Sequence, residues 1–155
     1  MDRPVERLAL YGQPSDHETL SWAWAEGQLV AAGLYWVVAA TPGHPHPRPV
    51  WGVWVDDRLH VSLGSPALRR AFADGVPVTV HLDSAIDVVI VEAGVVGPCD
   101  DAAVIAAYDA KYSYEYDLEQ YGPFTTLQPT TVLAWRVTGP DGRDGFAQTA
   151  RFTLS

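Results

Sequence analysis

Arg48 opens the segment Arg48-Pro49-Val50-Trp51-Gly52-Val53-Trp54-Val55, and an acidic pair, Asp56-Asp57, turns the chain. The return segment Arg58-Leu59-His60-Val61-Ser62-Leu63-Gly64 ends in Ser-x-Gly, shortly before two further cations, Arg69 and Arg70. A guanidinium matches two phosphate oxygens at once, and a serine hydroxyl both donates and accepts. A glycine lets an anion approach the backbone closely. Brought together, these groups make a phosphate site. Taken singly, each also suits a solvated strand end or a plain strand-to-helix turn.

Other side chains offer weaker chemistry. His44 and His46 have the His-x-His spacing of a metal chelate, but no further ligand stands nearby in sequence, so a solvated proline-rich turn is the simpler reading. His60 alternates onto the face of Ser62, where it either lines a pocket or sits half-exposed on a strand. His81 shares a face with Thr79 and Asp83 and is a candidate polar contact. Trp36, Trp51 and Trp54 are core residues first, yet flat indoles can also wall a planar ligand, and Trp51 or Trp54 is the better placed for that. Lys111 is the chain's one lysine, able to pair with a carboxylate or to meet a substrate anion, and Cys99 is a lone thiol without a marked histidine partner.

The elements that must position these groups follow from local pattern. Ser15-x-x-Glu18 has capping-box form, and Leu20, Trp24, Leu29 and Val30 fall near helical spacing, which predicts a helix over about 16–32 with Gly33 as its stop. Leu34 to Thr41 reads as a strand, Pro42 to Pro47 as a turn, and Val50 to Val55 and Leu59 to Leu63 as two arms of a hairpin. Ser65-Pro66 opens a short helix through about Ala73. Val76 to Asp83 alternates apolar and polar residues, a strand with one face in the core. Val88 to Val96 is apolar on both faces apart from Glu92, so it is either central or part of a dimer interface. Asp100-Asp101 starts a helix carrying Val104, Ala107, Tyr108, Lys111 and Tyr112. Tyr114 to Pro129 reads as a long aromatic loop, and Thr130 to Val137 and Phe146 to Leu154 as strands around the turn Gly139 to Gly142. Six or seven strands joined mainly by hairpins, with about three helices, predict a mainly β antiparallel barrel with peripheral helices.

The Arg-Pro-Val-Trp-x-x-Trp segment, the tight hairpin and Ser-x-Gly resemble the pyridoxamine 5'-phosphate oxidase-like flavin-binding split barrels. The resemblance continues through Gly33-Leu34-Tyr35-Trp36-Val37, Val78-Thr79-Val80-His81-Leu82, Tyr108-Asp109-Ala110-Lys111-Tyr112 and Val132-Leu133-Ala134-Trp135. It implies a split barrel that holds FMN, or the deazaflavin coenzyme F-420, at a homodimer interface. The cofactor contacts it implies are Arg48, Pro49, Val50, Trp51, Ser62, Gly64, Arg69 or Arg70, and His81. The activity it implies is hydride transfer to or from a small organic substrate, with the chemistry supplied by the cofactor. The chain departs from the pattern at Leu68, near the place of a phosphate-binding lysine, and at Gly75-Val76, where Asn-Pro is common. Arg151 lacks the histidine of the Arg-x-His motif of pyridoxamine phosphate oxidases. The unmatched Arg-x-His motif and the Arg-Pro-Val-Trp form lean toward the F-420 or FMN reductase branch, while the missing lysine at Leu68 keeps open a non-catalytic module on the same barrel. Such a module would hold flavin, or haem ligated by one of His17, His44, His46, His60 or His81.

Composition narrows the rest. At 155 residues, with 48% hydrophobic and 19% charged residues, one domain over 1–155 is expected, with the barrel over about 34–154. A net charge of −9 with only 10 Lys and Arg argues against a nucleic-acid partner. No apolar run suits a membrane span, no secretory signal is visible, and a single cysteine fits a reducing compartment, so the cytoplasm is expected. Walker, Gly-x-Gly-x-x-Gly, Gly-x-Ser-x-Gly and Cys-x-x-Cys motifs are missing, which disfavours nucleotide triphosphatases, Rossmann dehydrogenases, serine hydrolases and dithiol redox proteins.

Overall fold

The computed structural model describes residues 3–10, 13–14, 18–137 and 146–154. Its strands are β1 (Val5–Glu6), β2 (Ala9–Leu10), β3 (Gln13–Pro14), β4 (Tyr35–Ala39), β5 (His46–Val50), β6 (Gly52–Val55), β7 (Arg58–Val61), β8 (Val78–His81), β9 (Asp87–Cys99), β10 (Phe124–Val137) and β11 (Phe146–Thr153). Among the described residues four helices accompany them: α1 (Trp22–Ala31), α2 (Pro66–Ala73), α3 (Ala102–Tyr112) and α4 (Leu118–Tyr121). Every strand pairing is antiparallel.

The main sheet runs β5-β4-β8-β9-β10, and the far edge of β10 is divided between two partners. Its first part pairs with β7 (Thr125↔Val61 to Leu127↔Leu59), and its later part pairs with β11 (Thr131↔Thr153 to Val137↔Phe146). Strand β7 pairs in turn with β6, and β6 follows β5 directly in the chain. The ring is therefore completed by the covalent chain at Trp51, where one bent strand leaves β4 and joins β7. Inside lie Tyr35, Val37, Val61, Val80, Val89, Val91 and Val132, plugged at the ends by Leu29 of α1 and by Leu68 and Phe72 of α2. A second cluster, with Val53, Val104, Tyr108, Tyr116 and Phe124, lies beneath α3.

Local signals explain much of this. Asp56 and Asp57 both have positive φ, 51° and 60°, as a tight type I′ hairpin requires. Ser65 caps α2 by accepting from the Leu68 N–H at 3.4 Å, with Pro66 in the first turn, and Asp101 caps α3 by accepting from the Ala103 N–H at 2.7 Å. On β8, Val78 and Val80 are buried and Thr79 and His81 are not, the period-two pattern of its sequence. Strand β9 is central, between β8 and β10.

Three boundaries differ from those read off the sequence. The first helix begins at Trp22, because Ser21 accepts from the Trp24 N–H at 3.2 Å and takes the cap; of the Ser15–Glu18 box, residues 15–17 lie outside the described residues. The expected strand Val50 to Val55 is cut at Trp51, and His46 and Pro47, read as the end of a turn, already pair with β4 in β5. The expected loop Tyr114 to Pro129 contains α4, and β10 already begins at Phe124. Pro129 sits in that strand beside a register shift between Pro129 and Thr131, which accommodates a residue without an N–H to donate. The turn Gly139 to Gly142 lies outside the described residues.

Candidate functional site

Where β5 bends into β6, two backbone groups lose the strand neighbour that β4 had provided. Gly52 is pressed against β7: a Cβ built on it would lie 2.7 Å from the His60 carbonyl oxygen and 3.1 Å from Val61 Cγ1. Its N–H donates to Tyr112 Oη at 3.1 Å, and its carbonyl accepts from Lys111 Nζ at 2.9 Å. Helix α3 thus closes the gap in the ladder with two side chains, leaving neither group unpaired. Tyr112 Oη also lies 2.9 Å from the Gly33 carbonyl and 3.0 Å from that of Gly52. A hydroxyl has one proton, and since Lys111 already serves the Gly52 carbonyl, Gly33 is the consistent acceptor.

Lys111 also donates to Tyr35 Oη at 2.9 Å and lies 4.6 Å from the Tyr35 ring and 5.2 Å from that of Tyr112. It forms no ion pair among the described residues. Burial without a carboxylate lowers its pKa to about 8. Tyr35, wholly buried, donates to the Leu29 carbonyl at 2.6 Å, and burial raises its pKa above the usual phenol range. Of the two partners expected for Lys111, no carboxylate pairs with it among the described residues; it bonds a phenol and a backbone carbonyl.

This scaffold aims Trp51 outward. Its indole stacks on Tyr112 with centroids 4.5 Å apart and planes 5° from parallel, and meets Tyr114 edge-on at 6.1 Å. It remains 48% exposed, whereas Trp54 is packed into the core beside Trp22. Arg48, Pro49, Val50, Trp51, Ser62 and Gly64 all line one cleft of about 310 Å³, joined by Ser65 and Tyr108. The Ser62 N–H donates to the Trp51 carbonyl at 3.0 Å, holding the two sides of the cleft together. The Arg48 guanidinium is exposed and donates through one Nη to the Pro47 carbonyl at 2.8 Å, with no ion-pair partner among the described residues. A Cβ built on Gly64 would meet no atom within 4 Å, so its backbone borders open space.

The other nominated residues lie elsewhere. Arg69 Nε donates to the Leu63 carbonyl at 2.7 Å, and the side chain lines a separate cavity beyond the Leu63 backbone. Arg70 is exposed in the last turn of α2. His81 stacks on Trp36, 6.0 Å between centroids, and its Nδ1 donates to the Leu82 carbonyl at 3.0 Å. Trp36 pairs directly with Pro49 across β4 and β5, so His81 stands two strands from the cleft's rim. His60 is 6% exposed, with Nδ1 2.9 Å from Thr126 Oγ1, which corrects the expectation of a half-exposed or pocket-lining residue; burial lowers its pKa. Its alternation with Ser62 is real, but Thr126 of β10 and Val53 of β6 flank it on the two neighbouring strands. His17 lies outside the described residues. Leu68, at the place of the lysine that the resemblance would require, is wholly buried and cannot reach an anion. Sequence reasoning missed Lys111 and Tyr112 as the supports of Trp51; their signal was a Lys-Tyr pair at the end of a helix, with nothing local to name its target.

No protein-family model matches the chain, and no curated protein matches it in sequence. Solved structures do. An FAD-binding protein from Mesorhizobium loti superposes with a TM-score of 0.55 at 16% identity, over 88% of this chain and 96% of that one. A candidate pyridoxamine 5'-phosphate oxidase from Corynebacterium glutamicum gives 0.53 at 16% identity, over 97% and 100%. An F420 reductase gives 0.54 at 17% identity, over 69% and 94%. The chain has the pyridoxamine 5'-phosphate oxidase-like split-barrel fold. In this split barrel the Trp51 bend and the cleft beside it occupy the break in the hydrogen-bonded ring. No helix among the described residues is long and apolar enough to cross a membrane.

Proposed function

We propose that this split barrel binds FMN, with the deazaflavin coenzyme F-420 as the alternative, and serves as an oxidoreductase acting on a small organic molecule. One observation carries the reading. Among the described residues, an arginine without an ion-pair partner, a serine hydroxyl without a hydrogen-bond partner and an open glycine backbone face the same cleft as an exposed tryptophan. The donor set fits a phosphate. Arg48 offers its remaining N–H groups, Ser62 its hydroxyl, and Gly64 a backbone that an oxygen can approach. Pro49 and Val50 form the apolar floor, and Trp51 offers a flat wall already held parallel to Tyr112. The flavin-binding and F420-reducing proteins that share the fold support the same reading.

A bound flavin or deazaflavin supplies the hydride acceptor or donor. The chain's part is to neutralise the phosphate, fix the ring and exclude water; no side chain in the cleft is an evident acid or base. A cleft of about 310 Å³ has room for roughly ten water volumes, enough for a phosphate and a polyol chain but not for a tricyclic ring. The ring must then be covered from outside, and a second copy of the chain is the proposed cover. In register across four strands, Trp36, His81, Ile90 and Leu133 form a half-buried row on the sheet's outer face, and Val88 and Trp135 follow beside it. That row supports a homodimer with the cofactor at its interface.

Leu68 and the turned-back Arg69 favour a second reading, a flavin-holding module without turnover, because Arg48 is left as the cleft's lining cation. Protein purified from flavin-producing cells and titrated with FMN and F-420 separates the outcomes. Saturable binding followed by substrate-dependent reoxidation of the reduced cofactor supports the oxidoreductase. Binding without turnover supports the module, a Soret band indicates haem, and no binding of any of them refutes the cofactor reading.

A further inference from the structure

A second open cavity, of about 300 Å³, shares no lining residue with the Arg48 cleft and is bounded by Leu63 and by residues of α2, β9 and β10. Its walls are mainly apolar: Leu63, Phe72, Ala73, Val95, Pro98 and Pro123. Among the described residues, Arg69 is the one charged residue that lines it. Its Nε is fixed by the Leu63 carbonyl at 2.7 Å, which sets the plane of the guanidinium and leaves both Nη groups without a hydrogen bond or ion pair among the described residues. Thr125 adds a hydroxyl to the lining, and Tyr121, linked to Tyr114 through their hydroxyls at 3.3 Å, stands beside them.

We propose that this cavity is a second binding site, for a small carboxylic acid with an apolar tail, held by Arg69 and independent of the phosphate cleft. A planar guanidinium with two free nitrogens pairs with a carboxylate in the bidentate geometry. A single cation in an apolar lining, on a chain of net charge −9, suits a monoanion and not a polyanion. The apolar walls exclude a small hydrophilic anion from any gain beyond the ion pair, while an aliphatic or aryl tail replaces water along Phe72, Val95 and Pro98. About 300 Å³ corresponds to roughly ten water volumes, which matches an acid of about eight to ten heavy atoms. A neutral ligand of equal length would fill the cavity but leave the guanidinium without its counter-charge.

Calorimetric titration of the full chain with octanoate, and with 1-octanol as the uncharged control, tests the site. Expected is saturable octanoate binding, with octanol weaker by about tenfold or more, the loss of a charge-assisted hydrogen bond. Arg69→Met weakens octanoate by the same factor. Ala73→Trp fills the cavity from the edge of α2 while leaving the cation in place, and it abolishes octanoate binding if the site is where the geometry puts it. Arg48→Ala leaves octanoate unchanged. Circular dichroism of each variant verifies the fold. The proposal is overturned if wild-type protein shows no saturable octanoate binding, if Arg69→Met binds as wild type does, or if Arg48→Ala loses octanoate together with FMN. The last outcome would put the acid in the phosphate cleft. FMN titration of the same variants keeps this proposal separate from the flavin reading, because either site can fail while the other holds.

Discussion

Replacing Gly52 with alanine attacks the bend that creates the cleft. The added methyl would lie 2.7 Å from the His60 carbonyl oxygen, 3.1 Å from Val61 Cγ1 and 3.3 Å from Tyr35 Cδ2. The nearest obstacle is backbone, so no rotamer change relieves it. Strand β7 cannot retreat freely, because it pairs with β10 on its other edge through Val61↔Thr125 and His60↔Thr126. If β6 moves instead, Gly52 pulls away from Tyr112 and Lys111, which hold it at 3.1 and 2.9 Å. Overpacking of a tight site costs about 1–3 kcal/mol, and weakening one of those hydrogen bonds adds about 1 kcal/mol. We expect Gly52→Ala to destabilise the protein by about 3 kcal/mol, a drop in Tm of about 6–12 °C for a chain of this size. Gly33→Ala is the control: its Cβ would meet nothing within 4 Å, so its effect should stay within about 0.5 kcal/mol. Urea unfolding followed by far-UV circular dichroism measures both. A Gly52→Ala protein within about 1 kcal/mol of wild type would refute the close approach and with it the account of how Trp51 is positioned.

Three further outcomes follow from the same scaffold. Lys111 is the only lysine, so ¹³C-dimethylation and NMR titration report it cleanly beside the N-terminus; its midpoint should fall at about 8, against the ordinary value near 10.5, and a midpoint at the ordinary value contradicts its burial without a carboxylate. His60 is held neutral by burial, so its folded pKa lies below the unfolded one and the unfolded chain binds more protons in between. Stability should therefore fall as pH drops from about 6.5 toward the folded value, with a slope of up to about 1.4 kcal/mol per pH unit that His60→Asn removes, as read by denaturant melts across that range. Tyr112→Phe keeps the stacking on Trp51 but loses the bonds to Gly33 and Gly52, and should cost about 1–2 kcal/mol by the same melts.

Local chemistry made much of the fold legible. The Asp-Asp hairpin, the Ser65-Pro66 cap, the Asp101 cap and the alternation of β8 are written in a few adjacent residues, and each forms as expected. The cleft was legible for a related reason: Arg48, Ser62 and Gly64 lie on adjacent elements joined by one tight turn, so their convergence needs little long-range information. What was not legible depends on distant partners. Val50 to Val55 is one unbroken apolar run, and only the choice between β4 and β7 as neighbour reveals the break at Trp51. His60 looks half-exposed until β10 is paired beside it and brings Thr126 to its ring, and β10 itself was obscured by Pro129 and its register shift. Arg69 points past Leu63 because helix α2 is docked by Leu68 and Phe72, a packing outcome that no motif encodes.

The most direct test of the central claim compares FMN with riboflavin, which share the ring and differ by the phosphate, in wild-type protein and in Arg48→Ala. The account predicts that wild type binds FMN about ten- to a hundredfold more tightly than riboflavin, as one strong charge-assisted contact supplies, and that Arg48→Ala brings the two ligands to nearly equal affinity. Equal affinities in wild type, or an FMN preference that survives the loss of Arg48, would contradict it.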